Sequence, residues 1–224
     1  MQFRAASGSL AGVTVAKDWQ AWHEAYADEN SPLSRRLRLV QRHIAAWLDE
    51  RQGEALTVVS ACAGQGHDLL GVLVDRSDAR RVRATLLEYD ERNVAAAQAV
   101  VDDVGLRNVT VVHADAGELA AYVGSVPADL VLMAGVFGNI SDADVHRTIE
   151  ALPQPCARNA TVIWTRSRYA PDLTPAIRCW LQAAACVEVA FHAPDDVLFS
   201  VGVHRFVGVP LTAAPRGKLF EFVV

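Results

Sequence analysis

Between Val58 and Asp68 the chain reads Val-Val-Ser-Ala-Cys-Ala-Gly-Gln-Gly-His-Asp, an apolar run that passes through small side chains into polar ones. Gly64 and Gly66 let the main chain bend with no Cβ in the way, so a ligand can lie against the backbone. The first amides of a helix opening at His67 would favour a carboxylate or phosphate there. A dinucleotide fingerprint needs a third glycine three positions after Gly66, and Leu69 stands there instead. No Tyr-x-x-x-Lys pair accompanies the loop either, which weakens a nicotinamide reading.

Two carboxylates extend the pattern. Glu88 closes the run Leu86-Leu87-Glu88-Tyr89-Asp90, about twenty residues beyond the loop, where an acid can accept both hydroxyls of a ribose. Asp115, in Val112-His113-Ala114-Asp115-Ala116, falls at the end of the next apolar run and could accept from the amino group of an adenine.

The elements that must hold these residues follow from periodicity. Trp19, Trp22 and Tyr26 share one stripe of a helix beginning near Asp18, and Asn30-Ser31-Pro32 breaks it and caps a second. Leu33, Leu37, Val40, Ile44 and Leu48 line one face of that second helix, which ends near Gln52-Gly53. From Leu56 short apolar runs alternate with helical stretches, the sign of a parallel sheet. Strands are expected at 56–61, 83–88, 109–113, 129–134 and 160–165, with helices at 67–75, 91–104, 116–122 and 142–151. A helix from Thr174-Pro175 to Cys186 and runs at 187–191 and 199–206 complete the core, the short last connection implying an antiparallel pair. One domain is expected: a helical cap over 1–54, an α/β core over 55–208 and a tail over 209–224.

Composition narrows the function. The 224 residues carry 21 Lys+Arg against 26 Asp+Glu, a net charge of −5, which opposes nucleic acid and favours a small-molecule partner. Half the residues are hydrophobic (51%) and 21% charged, enough to build a core and unlike a disordered chain. No stretch approaches the length of a membrane span, and residues 1–16 lack the apolar segment of a leader. Cys62, Cys156, Cys179 and Cys186 are too scattered for a metal knuckle and too few for a disulfide scaffold, so they read as reduced thiols of a cytoplasmic protein. Asp142, Asp144 and His146 alternate by two, which does not put them on one helix face, and no metal site is expected.

With the glycine loop, Glu88, the Ala114-Asp115-Ala116 turn and Ala128-Asp129-Leu130 opening the fourth strand in view, the chain resembles class I S-adenosylmethionine-dependent methyltransferases over roughly residues 55 to 208. The resemblance implies a Rossmann-like, doubly wound α/β fold: a mostly parallel sheet with an antiparallel last strand, here with an N-terminal helical extension. It implies S-adenosylmethionine as cofactor and S-adenosylhomocysteine as product. By position, Ser60, Ala61, Cys62, Gly64 and Gly66 would line the methionine part, Glu88 bind ribose, Tyr89 pack on adenine, Asp115 and the Ala116 amide read the adenine edge, and Gly135 lie near the sulfonium. Ser60 and Cys62 depart from the acid and glycine usual in the family.

The stretch Met133 to Ile140 falls where the family places the acceptor, so Phe137 and Asn139 are substrate-side candidates, with Arg166 for an anionic acceptor. The family's Asn/Asp-Pro-Pro-aromatic run for amide or DNA amino acceptors is missing. The expected reaction is O- or N-methylation of a small molecule. A nicotinamide-dependent reductase and a non-catalytic adenosyl-binding scaffold are the alternatives. No catalytic residue is singled out; His23, Tyr26, His67 and Asn139 are candidates, the first three as a base for a hydroxyl proton. Asp68 is expected to serve the positive end of its helix, Trp19, Trp22, His23 and Tyr26 either to cover the site or to pack on the sheet, and a homodimer is kept open as the assembly.

Overall fold

The computed structural model describes Asp28, residues 30–212 and residues 214–223. The expectations for Trp19, Trp22, His23 and Tyr26 lie outside the described residues. The first described helix, α1 (Pro32–Glu50), starts where Ser31 Oγ accepts from the Ser34 amide at 3.1 Å and Pro32 needs no partner for a missing N–H. It buries Leu39, Val40, Ile44, Trp47 and Leu48, one stripe of a 3.6-residue period.

Seven strands follow: β1 (Leu56–Ala61), β2 (Val82–Glu88), β3 (Val109–His113), β4 (Ala128–Met133), β5 (Cys156–Ser167), β6 (Cys186–His192) and β7 (Phe199–Phe206). The helices between them are α2 (His67–Leu73), α3 (Glu91–Val104), α4 (Asp142–Glu150) and α5 (Thr174–Ala183). The sheet order is β3-β2-β1-β4-β5-β7-β6. Strands β1 to β5 pair in parallel. β7 runs antiparallel to both neighbours, so it is inserted between β5 and β6 rather than added at the edge.

Alternation along the central strands splits the core between two faces. Leu56 and Val58 of β1 and Leu130 and Leu132 of β4 pack with Ile44, Leu69, Leu70 and Val101 from α1, α2 and α3. Val59, Ala61, Val131 and Met133 face the other way, onto Val145, Ile149, Ile177 and Leu181 from α4 and α5. A period of two against a sheet covered on both sides makes both faces apolar, which is why these strands read as continuous hydrophobic runs.

One expected element is different. Residues 116–122 do not form an α-helix; only Leu119–Tyr122 turn, as a 3₁₀ helix. The segment is too short to cover its face of the sheet, and Leu219 and Phe220 from the far end of the chain, both fully buried, join that cluster. The residues assigned to a tail thus run back over the core: the Leu119 amide donates to the Gly217 carbonyl at 2.9 Å and the Leu219 amide to the Gly117 carbonyl at 2.7 Å.

Candidate functional site

Because β3, β2, β1 and β4 are neighbours and parallel, their carboxyl ends emerge along one edge of the sheet. The chain reverses its direction of winding between β1 and β4, and the crevice outside such a switch point is where open α/β sheets take ligands. The loops after those four strands are the ones that carry Gly64, Glu88, Asp115 and Gly135.

Glu88 is the centre of the arrangement. It is 8% exposed, Oε2 accepts from the Gly64 amide at 2.6 Å and Oε1 from the Asp90 amide at 2.8 Å. Its own carbonyl accepts from the Ala114 amide at 2.9 Å. One residue therefore ties the glycine loop, the exit of β2 and the exit of β3 together. An ionised carboxylate has about four lone-pair positions, so it can hold these two amides and still accept from a ligand's hydroxyls.

The loop itself is shaped by backbone angles that few side chains allow. Cys62, Gly64 and Gly66 have φ of 52°, 56° and 78°, in the left-handed region that suits glycine. A Cβ on Gly66 would stand 2.6 Å from Leu70 Cδ1 and 2.9 Å from Leu86 Cδ2, so glycine is demanded there by packing as well as by φ. Gly66 caps α2 without a side-chain bond, so Asp68 is not the cap, although it stands in the first turn, at the positive end of the helix as expected. Asp68 is half-buried, its covered Oδ1 has no hydrogen-bond partner among the described residues, and desolvation raises its pKa against the pull of Arg36.

Cys62 stands where Glu88 and Asp115 both act on it: burial pushes its thiol well above the usual range, and the two carboxylates push it further. It is a protonated, uncharged wall of the crevice, not a nucleophile. Ser60 and Ala61 are buried at the end of β1. On the next side, Asp115 is exposed with Oδ1 accepting from the Gly117 amide at 2.8 Å. Buried Tyr122 donates its hydroxyl to the Ala116 carbonyl at 2.8 Å. Tyr89 is 73% exposed beside the crevice, its ring 5.9 Å from that of His113, which also bonds the Tyr89 carbonyl. An exposed aromatic at a cluster of acids offers a flat apolar surface to a purine.

The opposite wall is less as expected. Gly135 has φ of 77° with nothing within 4 Å of its Cβ position, so open space begins there; its amide donates to Thr165 Oγ1 at 2.7 Å. Phe137, expected on the substrate side, is fully buried with its ring 5.9 Å from Trp164 and fills the core. An apolar run one residue after a loop has no sequence mark that says whether its aromatic turns in or out. Asn139 is half-buried, and its Nδ2 donates to the Gly135 carbonyl at 2.6 Å. Arg166 is committed to the Phe137 carbonyl and to Asp142 at 3.1 Å, so it braces this loop. Arg168 binds the carbonyls of Pro194 and Val197 and braces the β6–β7 connection. His67 opens α2 and its carbonyl accepts from Gln41 Nε2 at 2.9 Å.

Sequence reasoning missed Tyr122 and Thr165, which position Ala116 and Gly135. Nothing in a lone hydroxyl on an apolar run distinguishes such a role from ordinary packing. The open depression lined by Gln52, Gly53, Asp75, Arg76, Asp78 and Arg81 lies at the other edge of the sheet, before β1 and β2. Its Arg76 and Arg81 already hold Asp49, Asp78 and main-chain carbonyls. Among the described residues no group of three or more His, Cys, Asp or Glu could hold a metal ion. No helix among them is long and apolar enough to cross a membrane.

Comparison with known proteins gives three kinds of result. Residues 34–183 match the model of a family described as "Putative methyltransferase". A search of the curated proteins found no match. Among solved structures the chain is similar to magnesium protoporphyrin IX methyltransferase from Synechocystis PCC 6803 with bound SAM, at 16% identity and a TM-score of 0.63 over 85% of this chain and 91% of that one. It is similar to a protein of Bordetella parapertussis described as a "possible exported protein", at 16% identity and a TM-score of 0.62 over 79% and 68% of the two chains. An O-methyltransferase family protein from Burkholderia thailandensis aligns at 14% identity and a TM-score of 0.61 over 84% and 59%. At these identities the solved structures establish a shared fold.

Proposed function

As the chain belongs to this family of S-adenosylmethionine-dependent methyltransferases, we propose that it moves the methyl group onto a hydroxyl or amino group of a small molecule. The observation that carries the assignment of the site is the Glu88 carboxylate, buried and bonded to the Gly64 amide at the carboxyl edge of the sheet. The crevice around it suits the cofactor: small residues from Ser60 to Gly64 and at Gly66, an acid for ribose hydroxyls, Tyr89 for the purine face, and open space at Gly135. Asp115 and the Ala116 amide are the adenine-edge pair in this reading. Bound here, the cofactor supplies a methyl carbon on a sulfonium that carries its own leaving group.

The protein's part is alignment and exclusion of water, worth several orders of magnitude without acid or covalent chemistry. The Cys62 thiol, held protonated, lines the methionine side without adding charge. Asn139, fixed on Gly135, stands on the acceptor side in this reading. Arg166 supports that wall through Phe137 and Asp142 and does not itself bind acceptor. If the acceptor is a hydroxyl, its proton leaves to a base of which His67 is the described candidate.

The acceptor is a small molecule in this reading because a chain of net charge −5 repels nucleic acid. The four cysteines are all free thiols, which suits a reducing compartment and supports the cytoplasm. Calorimetric titration of the purified protein with S-adenosylhomocysteine tests the site: micromolar binding, with none for reduced nicotinamide cofactor, is expected, and the reverse pattern would overturn it. Transfer of label from S-adenosylmethionine to a small-molecule library, and not to DNA, separates a catalyst from a scaffold.

A further inference from the structure

The last described segment of the chain crosses both walls of the crevice. Gly217 and Leu219 exchange two backbone bonds with Leu119 and Gly117, forming an antiparallel bridge between Lys218 and Glu118. Lys218 Nζ lies 3.7 Å from Glu118 and also pairs with Glu221. Four residues on, Phe222 bridges Ile140, and the Val223 amide donates to the Asn139 carbonyl at 2.9 Å. Between these points the Leu219 carbonyl accepts from Thr148 Oγ1 at 3.3 Å, and the Glu221 amide donates to Asp144 Oδ2 at 3.2 Å.

We propose that residues 217–223 are a positioning strap that sets the Asp115 turn and the Gly135–Ile140 loop in register with each other, and so determines adenosyl affinity. The proposal rests on the reading of the site given above. At one end the strap grips Gly117, whose own amide holds the Asp115 carboxylate; a Cβ on Gly117 would stand 2.3 Å from the Phe220 carbonyl, so the two segments touch with no room between them. At the other end it grips Asn139, whose side chain holds Gly135. Leu219 and Phe220 are fully buried in the place left uncovered by the short turn at Leu119–Tyr122. The two anchors therefore share one rigid connection, and freeing it lets the adenine side and the acceptor side move independently.

The test compares the full chain, a chain ending at Arg216, and the full-length Gly117→Ala variant. A Leu48→Ala variant, which lowers stability from the opposite face of the sheet, controls for general loosening. S-adenosylhomocysteine binding by calorimetry is expected to weaken at least tenfold in the truncated chain and in Gly117→Ala. Leu48→Ala, studied at a temperature where it is equally folded, is expected to stay within twofold of the full chain. Amide hydrogen exchange is expected to speed up together in residues 115–119 and 136–140 when the strap is lost, and a peptide of residues 214–224 added in trans to restore both. Unchanged affinity, or exchange that rises in one loop alone, overturns the strap; an equal loss in Leu48→Ala does so too. If the full chain does not bind S-adenosylhomocysteine, the functional reading fails, while the exchange arm still decides the coupling of the two loops. If the shortened chain does not fold, Gly117→Ala decides alone.

Discussion

Glu88 joins three segments through a single carboxylate, and that makes it the residue whose removal should be most informative. Glu88→Ala takes away the acceptor for Gly64 and Asp90 and the proposed ribose contact together. Affinity for S-adenosylhomocysteine is expected to fall by about 1–3 kcal/mol, the range for a charge-assisted bond lost from a buried site; calorimetry on the folded variant measures it, and unchanged affinity would remove the ribose assignment. Gly66 makes a separate demand. Gly66→Ala forces a methyl against Leu70 and Leu86 at a φ of 78°, and a loss of roughly 1–3 kcal/mol in denaturant unfolding is expected from strain and overpacking. Ala at Gly135 meets open space, so it should cost stability only through its φ and act mainly on the acceptor side.

At the scale of elements, α1 is held to the far side of the sheet by contacts that sense pH. His43 Nε2 lies 2.9 Å from His192 Nε2 at the end of β6, a distance that requires at least one ring to be neutral. Four and eight residues back along α1 the same face carries Leu39 and Arg35, the latter paired with Asp196 in the β6–β7 connection. Burial lowers the pKa of His43, and His192 and then Arg42 lower it further. A folded value below the unfolded one means that this docking is fully present above pH 6.5 and is lost as pH falls. Protection factors of α1 amides are therefore expected to drop below about pH 6, before those of β1 and β4. Equal protection of α1 and the central strands at pH 5 would contradict this.

For the whole molecule, a buried histidine, His204, ties stability to pH. It is 1% exposed on β7, its Nδ1 accepts from Trp164 Nε1 at 3.2 Å, and burial holds its pKa down at about 4. Between pH 6.5 and 4 the unfolded chain takes up a proton that the folded one refuses, so stability rises with pH across that window and falls as it is acidified. The loss reaches roughly 3 kcal/mol at the acid end, and urea midpoints at pH 7, 5.5 and 4.5 check it; His204→Gln should flatten the fall.

What this sequence determined alone is the periodic part of the molecule. The spans of β1, α3, β3 and β7, and the crossover order that places four loops on one edge, follow from local patterning because a sheet covered on both faces selects continuous apolar strands and amphipathic helices. The placement of the glycine loop, Glu88 and Asp115 along one edge was legible for the same reason: each stands at or just past the carboxyl end of a strand. The tertiary structure decided what depends on contacts distant in sequence. The turn at Leu119–Tyr122 stays short because Leu219 and Phe220, about a hundred residues away, cover that face in its stead. Phe137 turns inward onto Trp164, and Arg166 is taken by Phe137 and Asp142. β7 lies between β5 and β6 rather than beyond them. No local periodicity encodes these outcomes, since each is settled by which buried surface is left open once the rest of the chain has packed.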